Sequence, residues 1–168
     1  MILCPIRSPV RITQHFKDSP AVYKQFGLKA HGGIDITGPK RGELVPVYAP
    51  LDGSVFEVGD QGKGGYGKYV RLRTPPNSKG ICREIVLGHF SRIDVKAGAE
   101  INIGDPMGMM GNTGFSSAPH VHIGLRKIGP DGLVLNASNG FAGYLDIEPY
   151  LIFWGDPKAF GLVSYPNG

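Results

Sequence analysis

The 168-residue sequence has only two cysteines, Cys4 and Cys82, and they do not form a CxxC pair. Two isolated thiols are poor candidates for zinc ligands, because cysteine zinc sites need clustered thiolates. Whether the two residues form a disulfide in an oxidising compartment or remain free, buried thiols is left open by the sequence.

The sequence also lacks any apolar stretch long enough to cross a membrane. The first residues, MILCPIRSPVRITQHF, contain no basic segment followed by a sustained apolar core, which a secretory signal peptide requires. We therefore expect no membrane span and no signal peptide of this chain's own.

Charge of one sign is only slightly in excess, with 18 Lys and Arg against 14 Asp and Glu and a net charge of +4. No basic cluster with interleaved aromatic residues occurs, and no nucleic-acid-binding motif is present. The composition therefore argues against nucleic acid as a partner. A modest positive charge favours association with an anionic surface such as a cell envelope.

Glycine and proline, in contrast, are abundant, at 26 and 14 residues. Short runs rich in β-branched or aromatic residues lie between them, at 44–49, 54–59, 68–73, 83–90 and 120–125. Such runs, separated by turn residues, predict strands, and no long amphipathic helix is apparent. We expect an all-β fold with a compact antiparallel sheet, glycine-rich loops and at most short helices near 19–27 and 147–153.

Three histidines and one aspartate are candidate metal ligands because of their spacing. His120 and His122 are two residues apart, and His31 and Asp35 are four residues apart in HGGID. In extended backbone, alternate side chains share a face, so each pair would project the same way. A helix would also align His31 with Asp35, but the two glycines between them disfavour a helix and permit close backbone approach.

Two imidazoles and one carboxylate suit zinc better than calcium or magnesium, which prefer oxygen ligands. Three protein ligands leave a tetrahedral position open, as in catalytic zinc sites. Zinc lowers the pKa of bound water from about 15.7 toward about 7, so metal-assisted hydrolysis is the natural reaction. The fourth residue would then be a histidine able to transfer a proton, although spacing alone does not exclude both His120 and His122 as ligands.

The chain resembles the lysostaphin-type zinc endopeptidases, also called LytM-domain peptidases, which cut peptide bonds in bacterial cell-wall peptidoglycan. The resemblance extends from about residue 31 to about residue 151. It rests on HGGID at 31–35, APLDGSV at 49–55, GYGKYVRLR at 65–73 and GHFSRIDVKAGAEINIGDPMGMMGNTGFSSAPHVHIGL at 88–125, with a weaker match in LDIEPYL at 145–151.

The resemblance implies that His31, Asp35 and His122 hold one zinc ion per chain. It implies that His120 and His89 are catalytic, His120 as general base toward water and then as acid toward the leaving amine, and His89 in orienting groups or stabilising the oxyanion. The division of roles between these two histidines is left open. His15 has no such support and is interpreted as a structural or surface residue.

We accordingly expect a single LytM-like peptidase domain over 1–168, with its motif-bearing core at about 27–151. Its partner would be peptidoglycan peptide, and the chain would be a monomer acting on the cell wall. Without a visible leader, delivery would depend on a phage lysis system, a virion or a removed leader, and a phage-type lytic enzyme is favoured. The tail after residue 153 is expected to cover the core surface.

Two other functions fit parts of the sequence. A LytM-like domain without catalysis would serve as a cell-wall-binding or activator module, but such a domain should lack ligands, and every expected position is retained here. A lipoyl-type or biotinyl-type carrier would explain APLDGSVFEVG followed by VKAGAEINIGDPM. That class needs a modifiable lysine at a hairpin tip, and the segment 107–110 (MGMM) has none.

Overall fold

The computed structural model describes residues 1–7, 9–156 and 158, and these form a mostly β structure. The strands are β1 (Ile2–Leu3), β2 (Arg11–Gln14), β3 (Ile34–Thr37), β4 (Pro46–Tyr48), β5 (Gly53–Asp60), β6 (Lys68–Arg73), β7 (Cys82–Gly88), β8 (Phe90–Ile93), β9 (Glu100–Ile101), β10 (Pro106–Met110), β11 (Val121–Ile128) and β12 (Leu151–Ile152). The all-β expectation is confirmed.

The main sheet has seven antiparallel strands in the order β2-β3-β11-β7-β6-β5-β9. Its three central strands, β11, β7 and β6, correspond to apolar runs that turn residues separate in the sequence. The polar segment 74–81 connects β6 to β7, which pair as a hairpin. This order puts β3 and β7 on either side of β11, so residues distant in sequence become neighbours.

Two smaller sheets complete the fold. Strands β4, β10 and β8 form a three-stranded antiparallel sheet, and β1 pairs with β12 in parallel. The parallel pair is a small departure from the expected antiparallel arrangement. It joins the two ends of the described chain, where Leu3 and Ile152 pack together.

One predicted strand is divided in two. The run 83–90 splits into β7 and β8 because His89, between them, has a φ of +67°. That left-handed conformation interrupts extended backbone and redirects the chain.

Helix is confined to short segments. Helix α1 (Pro20–Tyr23) continues into a 3-10 helix at Lys24–Phe26, and a second 3-10 helix occupies Glu148–Tyr150. Both predicted helical regions are therefore confirmed. No helix in the described part of the chain has the length and apolar character needed to cross a membrane.

The core lies between the main sheet and the three-stranded sheet. Its members are fully buried aliphatic and aromatic side chains from most strands, including Ile34, Ile36, Leu72, Ile85, Leu87, Phe90, Met107, Met110 and Ile123. Cys4 is buried and Cys82 is partly buried, and both are free thiols. Of the tail expected to cover the core, residues 157 and 159–168 lie outside the described residues.

Candidate metal centre

Strands β3 and β11 bring the two halves of the candidate centre together. Asp35 on β3 pairs in register with His122 on β11. His31 lies in the loop before β3, and His120 immediately precedes β11, where it forms a bridge with Gly111. The sheet therefore unites two motifs that are almost ninety residues apart in sequence.

Gly33 permits the close approach of these segments. A Cβ atom built at Gly33 would collide with the carbonyl oxygen of Ile123 and would lie 2.7 Å from Cε1 of His122. Since one of these atoms belongs to the backbone of β11, a side chain at this position would push the two segments apart. Gly33, the second glycine of HGGID, is thus required by packing against β11.

His31, Asp35 and His122 form a buried cluster. Nε2 of His31 lies 3.2 Å from Oδ1 of Asp35 and 3.0 Å from Nδ1 of His122, and the last two atoms are 3.0 Å apart. All three residues are less than 9% exposed, and each offers one potential metal ligand. The structure therefore brings together the three residues predicted to bind zinc.

The protons available to this cluster are too few for its lone pairs. Nδ1 of His31 faces the carbonyl oxygen of His15 at 3.1 Å, and a carbonyl only accepts, so Nδ1 carries the proton and Nε2 presents a lone pair. Neutral His122 has one proton to offer, while Asp35 has none when ionised. A cation at the point where the three atoms converge would satisfy them, so this donor set fits a zinc ion.

His122 itself is incompletely satisfied. Its Nε2 atom is buried, and among the described residues it has no hydrogen-bond partner. Such an atom is rare in folded proteins and often marks a functional constraint. Burial also lowers the pKa of His122, which keeps the ring neutral, as a metal ligand must be.

Asp35 is ionised despite its burial. Burial alone would raise its pKa, but contacts with His122 and His31 and the nearby imidazoles outweigh that effect and hold the pKa well below its usual range. The carboxylate is therefore negative at neutral pH, and it supplies the cluster with its anionic ligand.

His120 lies beside the cluster. Its Nδ1 atom lies 2.8 Å from the carbonyl oxygen of Ala118 and 3.2 Å from Oγ of Ser116, so Nδ1 donates to the carbonyl, and in the neutral ring Nε2 carries the lone pair. That Nε2 lies 3.4 Å from Oδ2 of Asp35. His120 therefore presents a proton-accepting atom next to the cluster.

His89 stands against His120, with 4.5 Å between the ring centroids. Its Nδ1 lies 2.7 Å from the carbonyl oxygen of Thr113 and donates to it. Burial, followed by the neighbouring imidazoles, lowers the pKa of His89 to about 4. The ring is neutral at pH 7, so its Nε2 carries a lone pair that can accept a hydrogen bond.

His15 is apart from these four histidines. Its Nδ1 lies 2.7 Å from Oε1 of Glu148, its side chain is 55% exposed, and the hydrogen bond to Glu148 raises its pKa. The prediction of a structural or surface residue is confirmed. Its backbone carbonyl accepts a hydrogen bond from Nδ1 of His31.

An open cleft of about 700 Å³ lies over the cluster. The loop 111–119 forms part of its wall through Gly114, Phe115, Ser116 and Ser117. The sequence reasoning missed the polar and aromatic residues of the other walls: Gln14, Tyr23, Phe26, Gln61, Tyr66, Arg71, Arg126 and Tyr144. For Arg126 a signal existed, because strand alternation puts it on the same face as His122.

Comparison with known proteins gives a consistent result. Residues 29–137 match the model of Peptidase family M23. The chain is 33% identical over 118 residues to an uncharacterized metalloprotease of Haemophilus influenzae, covering 70% of this chain and 23% of that protein. It is 33% identical over 119 residues to lysostaphin of Staphylococcus simulans, covering 71% and 21%. The chain thus spans about a fifth of these relatives' length.

A solved structure agrees with these matches. The catalytic domain of the prophage-encoded M23 protein EnpA from Enterococcus faecalis, solved as a point mutant, superposes with a TM-score of 0.57 at 30% identity. The superposition covers 79% of this chain and 92% of that domain.

Proposed function

Since the chain belongs to Peptidase family M23, we propose that it is a zinc-dependent endopeptidase that hydrolyses peptide bonds in bacterial peptidoglycan. The observation that carries this proposal is the convergence of lone pairs from His31, Asp35 and His122 beside a further histidine with a free Nε2. Relatives of the family include proteins named as a metalloprotease and as lysostaphin.

His31, Asp35 and His122 would hold one zinc ion. When bound, zinc supplies a Lewis acid that polarises a carbonyl and lowers the pKa of water. The protein's contribution is a rigid and buried set of ligands. The second nitrogen of His31 donates to the carbonyl of His15, which fixes the ring's tautomer and orientation.

His120 would carry the proton. Its Nδ1–H donates to the carbonyl of Ala118, so in the neutral ring Nε2 is unprotonated and lies beside Asp35 at the cleft. Nε2 would take a proton from the attacking water and then give it to the leaving amine. This acid-base assistance is typically worth about 10²–10⁴-fold in rate.

His89 would orient a bound group and would not donate a hydrogen bond to an oxyanion. With a pKa of about 4 and Nδ1–H committed to Thr113, it is neutral at pH 7 and its Nε2 accepts hydrogen bonds. A group without a free N–H does not stabilise an oxyanion by donation. Of the two roles that the sequence left open for His89, orienting water or a substrate N–H is the one we propose.

The substrate assignment rests on the cleft and the relatives. The cleft is open to solvent and has a volume of about 700 Å³, and the net charge of +4 favours an anionic cell wall. We propose action at the cell wall, as a phage-type lytic enzyme. The rival is a wall-binding or activator module without catalysis, which the same experiment distinguishes.

The test is digestion of purified peptidoglycan by zinc-loaded protein. We expect release of new amino termini and a fall in turbidity, without new reducing sugar ends. His120→Ala should lose at least about a hundred-fold of this activity, whereas His15→Ala, a surface histidine, should retain it. Co-sedimentation with walls that stay intact, from species with different cross-bridges, would instead establish the binding module. New reducing ends would indicate a glycosidase and overturn the proposal.

A further inference from the structure

Three guanidinium groups, two of them from residues that line the cleft, surround one buried carboxylate. Glu84 is 0% exposed and accepts from Arg71 Nη1 at 3.0 Å, from Arg73 Nε at 2.8 Å and from Arg126 Nε at 2.6 Å. Glu57, half exposed, adds one ion pair to Arg71 at 3.1 Å. Three positive charges therefore face two negative ones, and the cluster keeps a net positive charge.

The register of the main sheet explains this arrangement. Arg126 on β11 and Arg73 on β6 both pair with Glu84 on β7, and Arg71 pairs with Val86 two residues further along. Alternation puts these side chains on the face that also bears His122. The arginines and the candidate metal centre therefore share one surface of one sheet.

Two of the three arginines line the cleft. Arg71 and Arg126 contribute to its wall together with His120 and His122, while Arg73 does not and instead covers the ring of Phe56, 3.3 Å from its centroid. Among the described cleft-lining residues, Asp35 is the one with an acidic side chain, and it belongs to the candidate centre. The cleft thus has a cationic region away from the ligands.

This region lies within reach of a bound peptide. Arg126 is four residues from His122 along β11, about 13 Å at strand spacing. The ring of Tyr66 connects the two regions: its centroid is 5.2 Å from that of His122 and 5.8 Å from the guanidinium carbon of Arg71. An extended peptide covers about 3.3 Å per residue, so a group two to four residues from the reacting bond would reach the arginines.

The guanidinium N–H groups of Arg71 and Arg126 that do not bind Glu84 suit a carboxylate ligand. Arg126 uses Nε for Glu84, and its two terminal NH₂ groups take no part in that bond. Arg71 Nη1 also donates to the hydroxyl of Tyr144 at 3.1 Å, and Tyr66 donates to the same hydroxyl at 3.0 Å. These contacts hold the guanidinium groups in place before a ligand arrives. Arginine is well matched to a carboxylate, which accepts two parallel hydrogen bonds from it.

We propose that Arg71 and Arg126 form an anion-binding subsite that binds a substrate carboxylate two to four residues from the scissile bond. Glu84 and Tyr144 act as positioning residues that hold the two guanidinium groups toward the cleft. The inference rests on the proposed peptidase function for its substrate, a wall peptide. The carboxylate is either the free end of the peptide or an acidic group within it.

Peptide binding to the zinc-loaded His120→Ala protein tests this without hydrolysis. The probes are four synthetic stem peptides, L-Ala-D-Glu-L-Lys-D-Ala-D-Ala, with the terminal carboxyl and the free glutamyl carboxyl each present as acid or as amide. Calorimetry should show that amidating one of the two carboxyls weakens binding about ten- to a hundred-fold, as expected for a charge-assisted hydrogen bond. Which amide does so identifies the carboxylate.

Two further variants decide whether the arginines are responsible. Added to His120→Ala, Arg126→Gln should abolish the difference in affinity between the acid and amide forms of the peptide. Arg73→Gln, which loses a contact with the same Glu84 but lies outside the cleft, should preserve it. Equal binding of all four peptides, or a difference that survives Arg126→Gln, would overturn the subsite. Because binding is read without turnover, the two proposals fail separately. If the native protein releases no amines from peptidoglycan while the His120→Ala protein shows the charge preference, the proposed hydrolysis is refuted and the subsite stands.

Discussion

Asp35 and His122 are register partners on β3 and β11, and their side chains also meet, with 3.0 Å between Oδ1 of Asp35 and Nδ1 of His122. Backbone pairing and side-chain contact are thus parts of one arrangement. Any change that separates the two segments should damage both the sheet and the candidate centre.

Gly33→Ala should therefore be costly. Its Cβ would collide with the carbonyl oxygen of Ile123, and overpacking of this kind costs about 1–3 kcal/mol. Urea unfolding should show this loss, and zinc affinity should fall with it. Gly64→Ala is the control, because the Cβ there meets nothing closer than 3.7 Å. Equal stability of the two variants would contradict the packing explanation.

The left-handed backbone at His89 predicts an unusual order of stabilities. His89 has a φ of +67°, where a Cβ costs about 1–2 kcal/mol. His89→Gly should therefore be more stable than His89→Ala by about 1 kcal/mol in denaturant unfolding. At Arg92, an exposed residue of β8, glycine should instead be the less stable of the two. If alanine were the more stable residue at both positions, the strain at His89 would be disproved.

Glu84 should be indispensable to stability. Glu84→Gln leaves three guanidinium groups facing a neutral amide in a buried position, and breaking a buried pair in this way costs about 3–5 kcal/mol. Glu57→Gln removes a half-exposed carboxylate that pairs with one arginine, Arg71, and accepts from the hydroxyl of Tyr69, and should cost less than about 1 kcal/mol. Thermal unfolding at pH 7 measures both, and similar losses would contradict the central role of Glu84.

Cys4 should make stability depend on alkaline pH. Burial raises the pKa of its thiol to about 11, whereas the thiol of an unfolded cysteine has its ordinary pKa of 9.0. A raised folded pKa gives stability that is complete below the unfolded pKa and is lost as pH rises toward the folded value. Between pH 9 and 11 the native protein should lose about 1.4 kcal/mol per pH unit relative to Cys4→Ala. Cys82→Ala should follow the native protein, and parallel curves for all three would contradict this.

The fold was largely predictable because strands and turns depend on local patterns. The ligand set was predicted from the family resemblance, and its assembly depends on the pairing of β3 with β11. The run 68–73 became β6 with the same bounds, and alternation along β11 put His120 and His122 on one side. The conformation of His89 was not predictable, since its positive φ depends on tertiary contacts, among them the bond from its backbone N–H to the carbonyl of Tyr66.

The arginine cluster was not predictable from the sequence, for a different reason. Glu84, Arg71 and Arg126 come from three strands, and each alone resembles an ordinary charged residue on an exposed face. Their convergence depends on strand order and register, which a single sequence does not determine. The pairing of β11 with β7 supplies the missing information.

Zinc content, measured by elemental analysis in matched variants, tests the central claim most directly. We predict one zinc per chain in the native protein and in His120→Ala, and little or none in Asp35→Ala and His122→Ala. That result would separate the three ligands from the neighbouring histidine that carries the proton. Equal loss of zinc in all three variants would make His120 a ligand, and absence of zinc from native protein supplied with the metal would contradict the account altogether.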